Sequence, residues 1–539
     1  MASTGEEAIQ SVVDRRRRAR VAVIGAGAAG LAAARELTLE GHDAVVFEQG
    51  AELGGVWVYD ADVEDDLTGA DANRAKRVHS SVYASLRTNL PREVMGFASF
   101  PFTRAFTDDI RRFPGHAEVR AYLDAYADHH RIRNVVRLNT RVVSVTPIET
   151  SSASSASRDF ERWGPRWLVQ TEPACVANEA SSKMDEDRST DRSAFDAVVV
   201  CNGHYSEPRV PRFPGADAWP GTQMHSHNYR TPEGDRFSFR GKTVVVLGAM
   251  ASGEDLSREI ASVAKHVTLA SRGFVKPSDA SFGDFPLDSY PENMSRASGI
   301  KELLPETSGV LFEDGSKTHD VDVVLYATGY HVTFPFFAKF HEETFQKEGS
   351  DDLVPRAFDN RVAPLFEHVF PPASGPSLSF IGLPWKVVPF PQFEAQARWI
   401  AKALSGASML PDRGTMASLA SAVVRKDFED DVLDRHAHRM GDTQFAYNKR
   451  LYEYCREDET DLFLTSLVWR EAMYKATGVR KRAFPTSYRD GPASPWSDEE
   501  ALREARREAA ALGFESDSRE KKSEEKKRSF SVGNVSETS

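Results

Sequence analysis

Short runs of consecutive apolar residues recur along this chain and alternate with segments of helical character. In the clearest example, the apolar run Val21–Ile24 is followed by a glycine-rich turn. An Ala-rich segment, Leu31–Leu37, and a second apolar run, Ala44–Phe47, come next. A run that is apolar throughout is typical of a strand buried on both faces of a parallel sheet. The order therefore predicts a strand–helix–strand unit of an α/β fold.

The turn of this first unit contains a G-x-G-x-x-G motif. Gly25 permits the tight turn, Gly27 lets the backbone approach a pyrophosphate, and Gly30 lets the helix pack closely on the strand. Glu48 ends the second strand and can accept hydrogen bonds from ribose hydroxyl groups, which favours FAD or NAD over NADP. A tight turn that binds no ligand is the alternative. The residues predicted to bind the dinucleotide are Gly25, Ala26, Gly27, Ala28, Ala29, Gly30, Glu48, Gly54, Gly55 and Trp57.

A second unit of the same kind begins with the strand-like run Lys242–Gly248. It continues through a helical segment to another apolar run, Val267–Ala270, which is followed by Ser271 and Arg272. The guanidinium group of Arg272 suits the 2′-phosphate of NADPH. A structural unit without a ligand is the alternative. The residues predicted to bind NADPH are Gly248, Ala249, Met250, Ala251, Ser252, Gly253, Ser271 and Arg272.

Met250 stands where the second unit should have its middle glycine. We expect its Cβ to keep the backbone away from a pyrophosphate, and a positive φ at this position would be costly for Met. We also expect the side chain to pack against the nucleotide or the adjoining helix. This position is therefore where the second unit departs most from the motif.

The composition is that of an ordinary globular protein of two or three domains, with 539 residues, 40% hydrophobic and 27% charged. A net charge of −12 argues against binding to nucleic acid or to an anionic membrane. The N-terminus lacks an apolar segment of the signal-peptide type, and no apolar run reaches the length of a membrane span. We therefore expect a cytoplasmic protein without a membrane anchor, and a homodimer remains open.

The three cysteines, Cys175, Cys201 and Cys455, lie too far apart in sequence for a CxxC pair or a zinc site, so we expect no metal. Disulfide reductases also have two nucleotide-binding domains, but they need a redox cysteine pair after the first unit. This chain has LGGVW there, which excludes that class. Cys201 lies in an apolar run and is expected in the core.

Three further stretches resemble the flavin-containing monooxygenase family, in its plant branch related to glucosinolate S-oxygenases. Ser85–Phe102 resembles the TN-containing segment that lies beside the flavin, and Ala327–Tyr330 reads ATGY. A third stretch, WPGTQMHSHNY, resembles the family pattern F-x-G-x-x-x-H-x-x-x-Y with Trp in place of Phe. The matching positions are Trp219, Gly221, His225 and Tyr229. We expect His225 and Tyr229 to fix the connection between domains rather than to contact a substrate.

The resemblance implies a flavin monooxygenase. In such enzymes NADPH reduces FAD, the reduced flavin binds O₂ as a C4a-hydroperoxide, and the distal oxygen passes to sulfur or nitrogen. The expected substrate is a small-molecule thioether, thiol or amine. The same resemblance makes Asn89 the expected catalytic residue and a flavin contact, because a side-chain amide forms hydrogen bonds without exchanging a proton.

Each of these expected flavin contacts has a structural alternative. Asn89 precedes Leu-Pro and could simply form a turn. Trp57 could be a core residue. Glu394 is expected near the isoalloxazine, but an acid early in a helix is also favoured by the helix dipole.

Two other functions remain open at this point. An uncoupled flavin NADPH oxidase would release hydrogen peroxide and have no dedicated substrate. A flavin-binding regulatory protein would bind FAD but have an NADPH site weakened by Met250.

The domain order is suggested by an internal similarity between Asp196–Gly203 (DAVVVCNG) and Asp322–Gly329 (DVVLYATG). In flavoproteins with two dinucleotide-binding domains, the chain leaves and re-enters the FAD domain at such points; two unrelated strands are the alternative. We predict an α/β fold of two Rossmann-like domains, with the NADPH domain inserted into a discontinuous FAD domain. The predicted parts are a flexible N-terminus (1–19), the FAD domain (20–207 and 322–483), the NADPH domain (208–321), and a charged helix with a disordered tail (484–539).

Other elements are predicted from local pattern alone. Arg141–Thr146, Trp167–Thr171 and Phe195–Cys201 are expected to be strands of a small sheet. Gln392–Leu404 is expected to be an amphipathic helix, and Glu499–Leu512 a charged helix that forms a solvated arm.

Overall fold

The computed structural model describes residues 18–148, 164–174, 190–274, 290–344, 353–456, 461–490 and 499–514. Its strands are β1 (Arg20–Ile24), β2 (Asp43–Phe47), β3 (Val136–Arg137), β4 (Thr140–Pro147), β5 (Trp167–Pro173), β6 (Asp191–Phe195), β7 (Ala197–Val200), β8 (Glu207–Pro208), β9 (Thr222–His225), β10 (Thr243–Leu247), β11 (His266–Ala270), β12 (Met294–Ala297), β13 (Ile300–Leu304), β14 (Gly309–Phe312), β15 (Lys317–Thr318), β16 (Val323–Tyr326), β17 (Tyr330–His331), β18 (Arg356–Phe358), β19 (Arg361–Ala363) and β20 (Leu378–Phe380). Its α-helices are α1 (Ala28–Leu39), α2 (Arg92–Met95), α3 (His116–His129), α4 (Ala251–Ala261), α5 (Ala338–Thr344), α6 (Pro389–Ser405), α7 (Arg413–Glu429), α8 (Gln444–Tyr454), α9 (Leu462–Ala483) and α10 (Glu499–Ala511).

The first parallel sheet has the strand order β20-β7-β1-β2-β3. The central strand β1 pairs with β2 and β7, so that Val23 lies between Val46 and Val199. These valines are fully buried, which explains why the strands read as continuous apolar runs. Helices α1 and α6 pack against each other beside this sheet. Since β20 follows β7 only after the whole second sheet, the first sheet is built from two separate parts of the chain.

The second parallel sheet has the order β12-β11-β10-β16-β9 and lies between Thr222 and Tyr326 in sequence. The chain passes between the two sheets through β8 and β17, which pair antiparallel with each other. The strand order thus agrees with one dinucleotide-binding unit inserted into another.

The predicted end of the NADPH domain, between residues 321 and 322, comes one strand too early. β16 pairs with β10 and β9 in the second sheet, and the chain returns only at Tyr330–His331. The sequence shows that this segment is a buried strand ending in glycine, but the two sheets offer equivalent places for such a strand. Only the long-range pairing decides between them.

The predicted strand Phe195–Cys201 is in fact two strands in two sheets. β6 ends at Phe195 and belongs to the antiparallel sheet β4-β5-β6, whereas β7 begins at Ala197 and lies inside the first parallel sheet. Between them, the Asp196 carboxylate accepts a hydrogen bond from the Arg20 backbone N–H at 2.9 Å. This acid interrupts the apolar residues at the point where the chain changes sheet.

The expectation that Glu499–Leu512 is a solvated arm is wrong. Helix α10 packs on α9, and Ala501, Ala505 and Ala509 are buried at successive i, i+4 positions. Glu508 accepts a hydrogen bond from the Trp469 indole N–H at 2.8 Å. The burial of alanines inside a charged sequence gives only a narrow apolar stripe, which is easily mistaken for a solvated face. Gln392–Leu404 falls inside helix α6 as expected.

Candidate functional site

The first glycine loop joins β1 to α1 so closely that two of its glycines admit no side chain. Gly25 has φ +101°, and a Cβ at this position would lie 2.6 Å from the Cys201 carbonyl oxygen. A Cβ on Gly30 would lie 1.8 Å from the Gly25 carbonyl oxygen. Both distances are far below van der Waals contact. Gly25 is therefore required by the close approach of the chain after β7, and Gly30 by the close approach of α1 to the loop.

The middle glycine has a different role. Gly27 precedes α1 in an extended conformation, with φ −72° and ψ −176°, that any residue can adopt. A Cβ on Gly27 would lie 3.5 Å from the Gly55 Cα, and the Gly54 N–H donates to the Ala26 carbonyl at 3.0 Å. Two glycine turns thus face each other at the start of α1, and no side chain caps this helix. The open helix N–H groups and the lack of side chains fit the pyrophosphate of a dinucleotide.

Glu48 lies where a dinucleotide ribose is expected, at the end of β2. Its carboxylate is buried and accepts hydrogen bonds from the backbone N–H groups of Ala26 at 2.8 Å and Gly50 at 2.7 Å. Each carboxylate oxygen can accept more than one hydrogen bond, so both keep capacity for a hydroxyl group. The first loop, the second glycine turn and Glu48 therefore form one continuous site at the carboxyl end of the sheet.

The second glycine loop repeats the outer geometry of the first. Gly248 has φ +111°, and a Cβ there would lie 2.4 Å from the Ala327 carbonyl oxygen. A Cβ on Gly253 would lie 1.7 Å from the Gly248 carbonyl oxygen. No side chain caps α4, which begins after this loop. The structure thus brings Gly248, Ala249, Ala251, Ser252 and Gly253 into the arrangement that the sequence predicts.

Met250 does not carry the backbone strain expected from the sequence. Its φ is −87° and its ψ −172°, close to the values of Gly27, so no positive φ is needed. The expectation that its side chain packs against the adjoining helix is also wrong, because 60% of the residue is exposed. The physical reason is that no second glycine turn covers this position within the described part of the chain. A side chain here points into open space.

Arg272 follows β11, as predicted, and is exposed, while the Ser271 N–H donates to the Ala297 carbonyl at 3.1 Å. Arg435, from a distant part of the chain, lies within its electrostatic reach. Burial, followed by the charge of Arg272, lowers the pKa of Arg435. Among the described residues, the buried Nε of Arg435 has no hydrogen-bond partner. The guanidinium group of Arg435 thus lies near that of Arg272, and Arg435 belongs to no motif that the sequence could reveal.

Asn89 lies in a tightly held turn between the two units. The Thr88 hydroxyl donates to the Leu90 carbonyl at 2.8 Å, and the Thr88 N–H donates to the Pro114 carbonyl at 2.9 Å. The Asn89 side chain itself is exposed and, within the ranges that the structure describes, has no hydrogen-bond partner. Its backbone is fixed and its amide is available to a ligand.

Trp57 and Glu394 both have structural contacts. The Trp57 ring meets Phe390 edge-on, with ring centroids 6.4 Å apart, and packs on the core. Glu394 is fully buried in the second turn of α6 and accepts hydrogen bonds from the N–H groups of Ala98 at 2.7 Å and Ser99 at 3.2 Å. Its interpretation as a dipole-favoured acid at the helix N-terminus is wrong, since its oxygen atoms hold the turn that follows Gly96.

The four residues that match the family pattern, here called the fingerprint residues, lie in and around β9 of the second sheet. They are Trp219, Gly221, His225 and Tyr229. The Trp219 ring lies so close to Gly221 that a Cβ on this glycine would lie 2.3 Å from it. His225 is fully buried at the end of β9, and its Nδ1 accepts a hydrogen bond from the His227 N–H at 3.1 Å. Burial lowers the pKa of His225 to about 3, so this ring is neutral. Tyr229 is buried against Tyr83, with ring centroids 5.9 Å apart.

Cys201 and Cys455 are buried, whereas Cys175 lies outside the described residues. Among the described residues there is no group of three or more His, Cys, Asp or Glu side chains that could hold a metal ion. A helix with the length and apolarity needed to cross a bilayer is likewise not found in the described ranges.

Known proteins share this architecture over most of its length. The chain is 42% identical over 493 residues to the flavin-containing monooxygenase FMO GS-OX-like 4 of Arabidopsis thaliana, covering 90% of this chain and 96% of the relative. The solved structure of S-allyl-L-cysteine S-oxygenase from Allium sativum matches with a TM-score of 0.76 and 39% identity, covering 92% of this chain and 99% of that one. Tmm from a Pelagibacter strain matches with a TM-score of 0.64 and 25% identity, covering 89% and 94%.

The family model for flavin-binding monooxygenase-like proteins matches residues 18–294 and 292–457. These matches confirm the family resemblance, the fold of two Rossmann-like domains and a flavin as cofactor. They also confirm that the protein is an oxidoreductase of the monooxygenase class. The chain belongs to the flavin-binding monooxygenase-like family.

Proposed function

We propose that this protein uses NADPH and O₂ to oxygenate the sulfur atom of a small thioether. The observation that carries the proposal is the pair of glycine loops of equal outer geometry, one bonded to an acid, Glu48, and one bonded to the end of the strand that precedes Arg272. Arg435 lies near Arg272. An acid suits the free ribose of FAD, and arginines suit the 2′-phosphate of NADPH. The likeness to an S-oxygenase favours sulfur over nitrogen as the atom oxygenated.

The residues of the first loop would hold FAD. Ala28 and Ala29 offer N–H groups at the uncapped start of α1, Gly27 and Gly55 leave room for the pyrophosphate, and Glu48 accepts from the ribose. When bound and reduced, the flavin supplies the activation of O₂. The protein contributes binding, orientation and the exclusion of water.

Asn89 is the side chain that we assign to the reacting region. Support comes from its exposed amide on a backbone that is fixed on both sides. Such a group can orient a ligand by hydrogen bonds and does not titrate near neutral pH. Replacing Asn89 by Ala should lower the product yield per NADPH consumed.

The test is a balance of reactants and products. The purified protein is mixed with NADPH, O₂ and a panel of small thioethers and amines, and the NADPH consumed, sulfoxide or N-oxide formed, and hydrogen peroxide released are measured together. Sulfoxide equal to the NADPH consumed supports the proposal. Peroxide equal to NADPH with every substrate would instead indicate an oxidase, and bound FAD without NADPH turnover would indicate a regulatory protein.

A further inference from the structure

The segment 484–490 contacts residues of both dinucleotide-binding units, including the turn that carries Asn89. Tyr488 is buried there, with its ring edge-on to Phe113 at a centroid distance of 5.6 Å. Asp490 forms an ion pair with Arg87 at 2.5 Å. The sequence assigned this segment to a charged tail, whereas the structure packs it against both units.

Arg489 lies at the centre of these contacts and is only 16% exposed. Its guanidinium group meets both carboxylate oxygens of Asp255, at 2.6 and 3.3 Å. Its Nε donates to the Thr88 carbonyl at 3.0 Å. This carbonyl belongs to the peptide bond that joins Thr88 to Asn89. The contact therefore helps to fix the orientation of that peptide bond.

Asp255 connects Arg489 to the helix that follows the second glycine loop. It lies in the second turn of α4, the helix that begins at the second glycine loop. It also accepts a hydrogen bond from the Tyr83 hydroxyl at 3.3 Å, and Tyr83 packs on the fingerprint residue Tyr229. Arg489 therefore joins a carboxylate of α4 directly to the backbone of the Asn89 turn.

We propose that Arg489 is a positioning residue that couples the nucleotide-binding helix α4 to the Asn89 turn. It acts through Asp255 on one side and the Thr88 carbonyl on the other. This inference rests on the proposed function for the role of Asn89, but the contact itself does not. Because Tyr488 and Asp490 anchor the segment independently, loss of the Arg489 side chain should leave the segment in place.

The test compares Arg489→Ala, Arg489→Lys and Asp255→Asn with the wild-type protein. The matched control is Arg240→Ala, since Arg240 also forms a bidentate ion pair, with Glu233, but on an exposed surface. The first readout is the fraction of NADPH equivalents released as hydrogen peroxide during turnover with a thioether. We expect this fraction to rise roughly fivefold or more in Arg489→Ala and Asp255→Asn, to rise less in Arg489→Lys, and to stay unchanged in the control.

The second readout is hydrogen exchange of a peptide covering residues 85–95, with and without NADP⁺. We expect NADP⁺ to slow exchange there in the wild type and in the control, and to have no effect in Arg489→Ala. If the wild type forms no oxygenated product, the proposed function fails, but this readout still tests the coupling. An unchanged response to NADP⁺ in Arg489→Ala, or an unchanged peroxide fraction, would overturn the inference. Should Arg489→Ala not fold, Asp255→Asn and Arg489→Lys decide it by the same two readouts.

Discussion

The two glycine loops of this protein share their outer positions and differ in the middle one. At Gly25 and Gly30, as at Gly248 and Gly253, a Cβ would overlap a backbone carbonyl oxygen. The middle position is extended in both loops, so backbone conformation does not demand glycine there. The comparison shows that the fold requires the outer glycines, whereas the surroundings of each loop decide the middle residue.

The surroundings of Gly27 and Met250 differ. A second glycine turn covers Gly27, and the buried carboxylate of Glu48 completes the first site. Met250 is mostly exposed, and so is Arg272, which follows the neighbouring strand β11. An enclosed site suits a flavin that stays bound through many turnovers. An open site suits a nucleotide that must enter and leave.

The largest expected effect comes from the outer glycines. Gly30→Ala and Gly253→Ala should each lower the free energy of unfolding by roughly 3 kcal/mol or more, because the new Cβ overlaps a carbonyl oxygen and the helix must move. Gly41→Ala is the control, since Gly41 has φ +90° but open space around it. It should cost only about 1 kcal/mol. Chemical denaturation measures all three, and a fully stable Gly253→Ala protein would refute the shared geometry.

The next effect concerns the charge difference between the loops. Arg272→Ala removes a charge-assisted contact worth about 1.5–3 kcal/mol, so the KM for NADPH should rise roughly ten- to a hundredfold. The KM for NADH, which has no 2′-phosphate, should hardly change. Arg435→Ala should act in the same direction. Steady-state kinetics with both nucleotides provide the test, and equal losses with NADPH and NADH would contradict the assignment.

A smaller effect is expected at the acid of the first loop. Glu48→Gln replaces one acceptor oxygen by an amino group that faces the N–H of Ala26 or Gly50. A lost hydrogen bond of this kind costs about 1–3 kcal/mol, and FAD should therefore dissociate faster. Flavin release on dilution can be followed by fluorescence. A variant that keeps FAD as firmly as the wild type would show that Glu48 only supports the loop.

The smallest effect is expected from Met250→Gly. The side chain is exposed and unstrained, so its loss should reduce stability only by about 0.4–1 kcal/mol through the entropy of the unfolded chain. Affinity for NADP⁺ should hardly change, since the backbone at Met250 already has the conformation of Gly27. Calorimetry and thermal unfolding measure the two quantities. Tighter NADP⁺ binding would show instead that the Cβ holds the pyrophosphate away.

The sequence predicts these loops well because their signals are local. Each unit is defined by glycines at fixed spacing, three in the first and two in the second, and by one residue after the next strand. The assignments that depend on contacts far apart in sequence could not be made in this way. Whether β16 belongs to the first or the second sheet, and whether α10 packs on α9, depends on partners more than thirty residues away.

Arg435 and Arg489 illustrate the same limit within the candidate site. Neither lies in a motif, and each gains its meaning only when the fold brings it beside Arg272 or Asp255. Met250 is the opposite case. The sequence shows that Met250 replaces a glycine, but the motif does not reveal that the backbone there is extended and the side chain exposed, so the expected strain and helix packing were wrong.

The most direct measurement is the amount of FAD bound to a purified Gly27→Met protein, with thermal unfolding as the control for folding. This variant gives the first loop the middle residue of the second. A Cβ fits at Gly27, so we expect the protein to fold, but the longer side chain should occupy the pyrophosphate space beside Gly55 and leave the protein without flavin. A folded Gly27→Met protein with a full complement of FAD would contradict the account of the two loops.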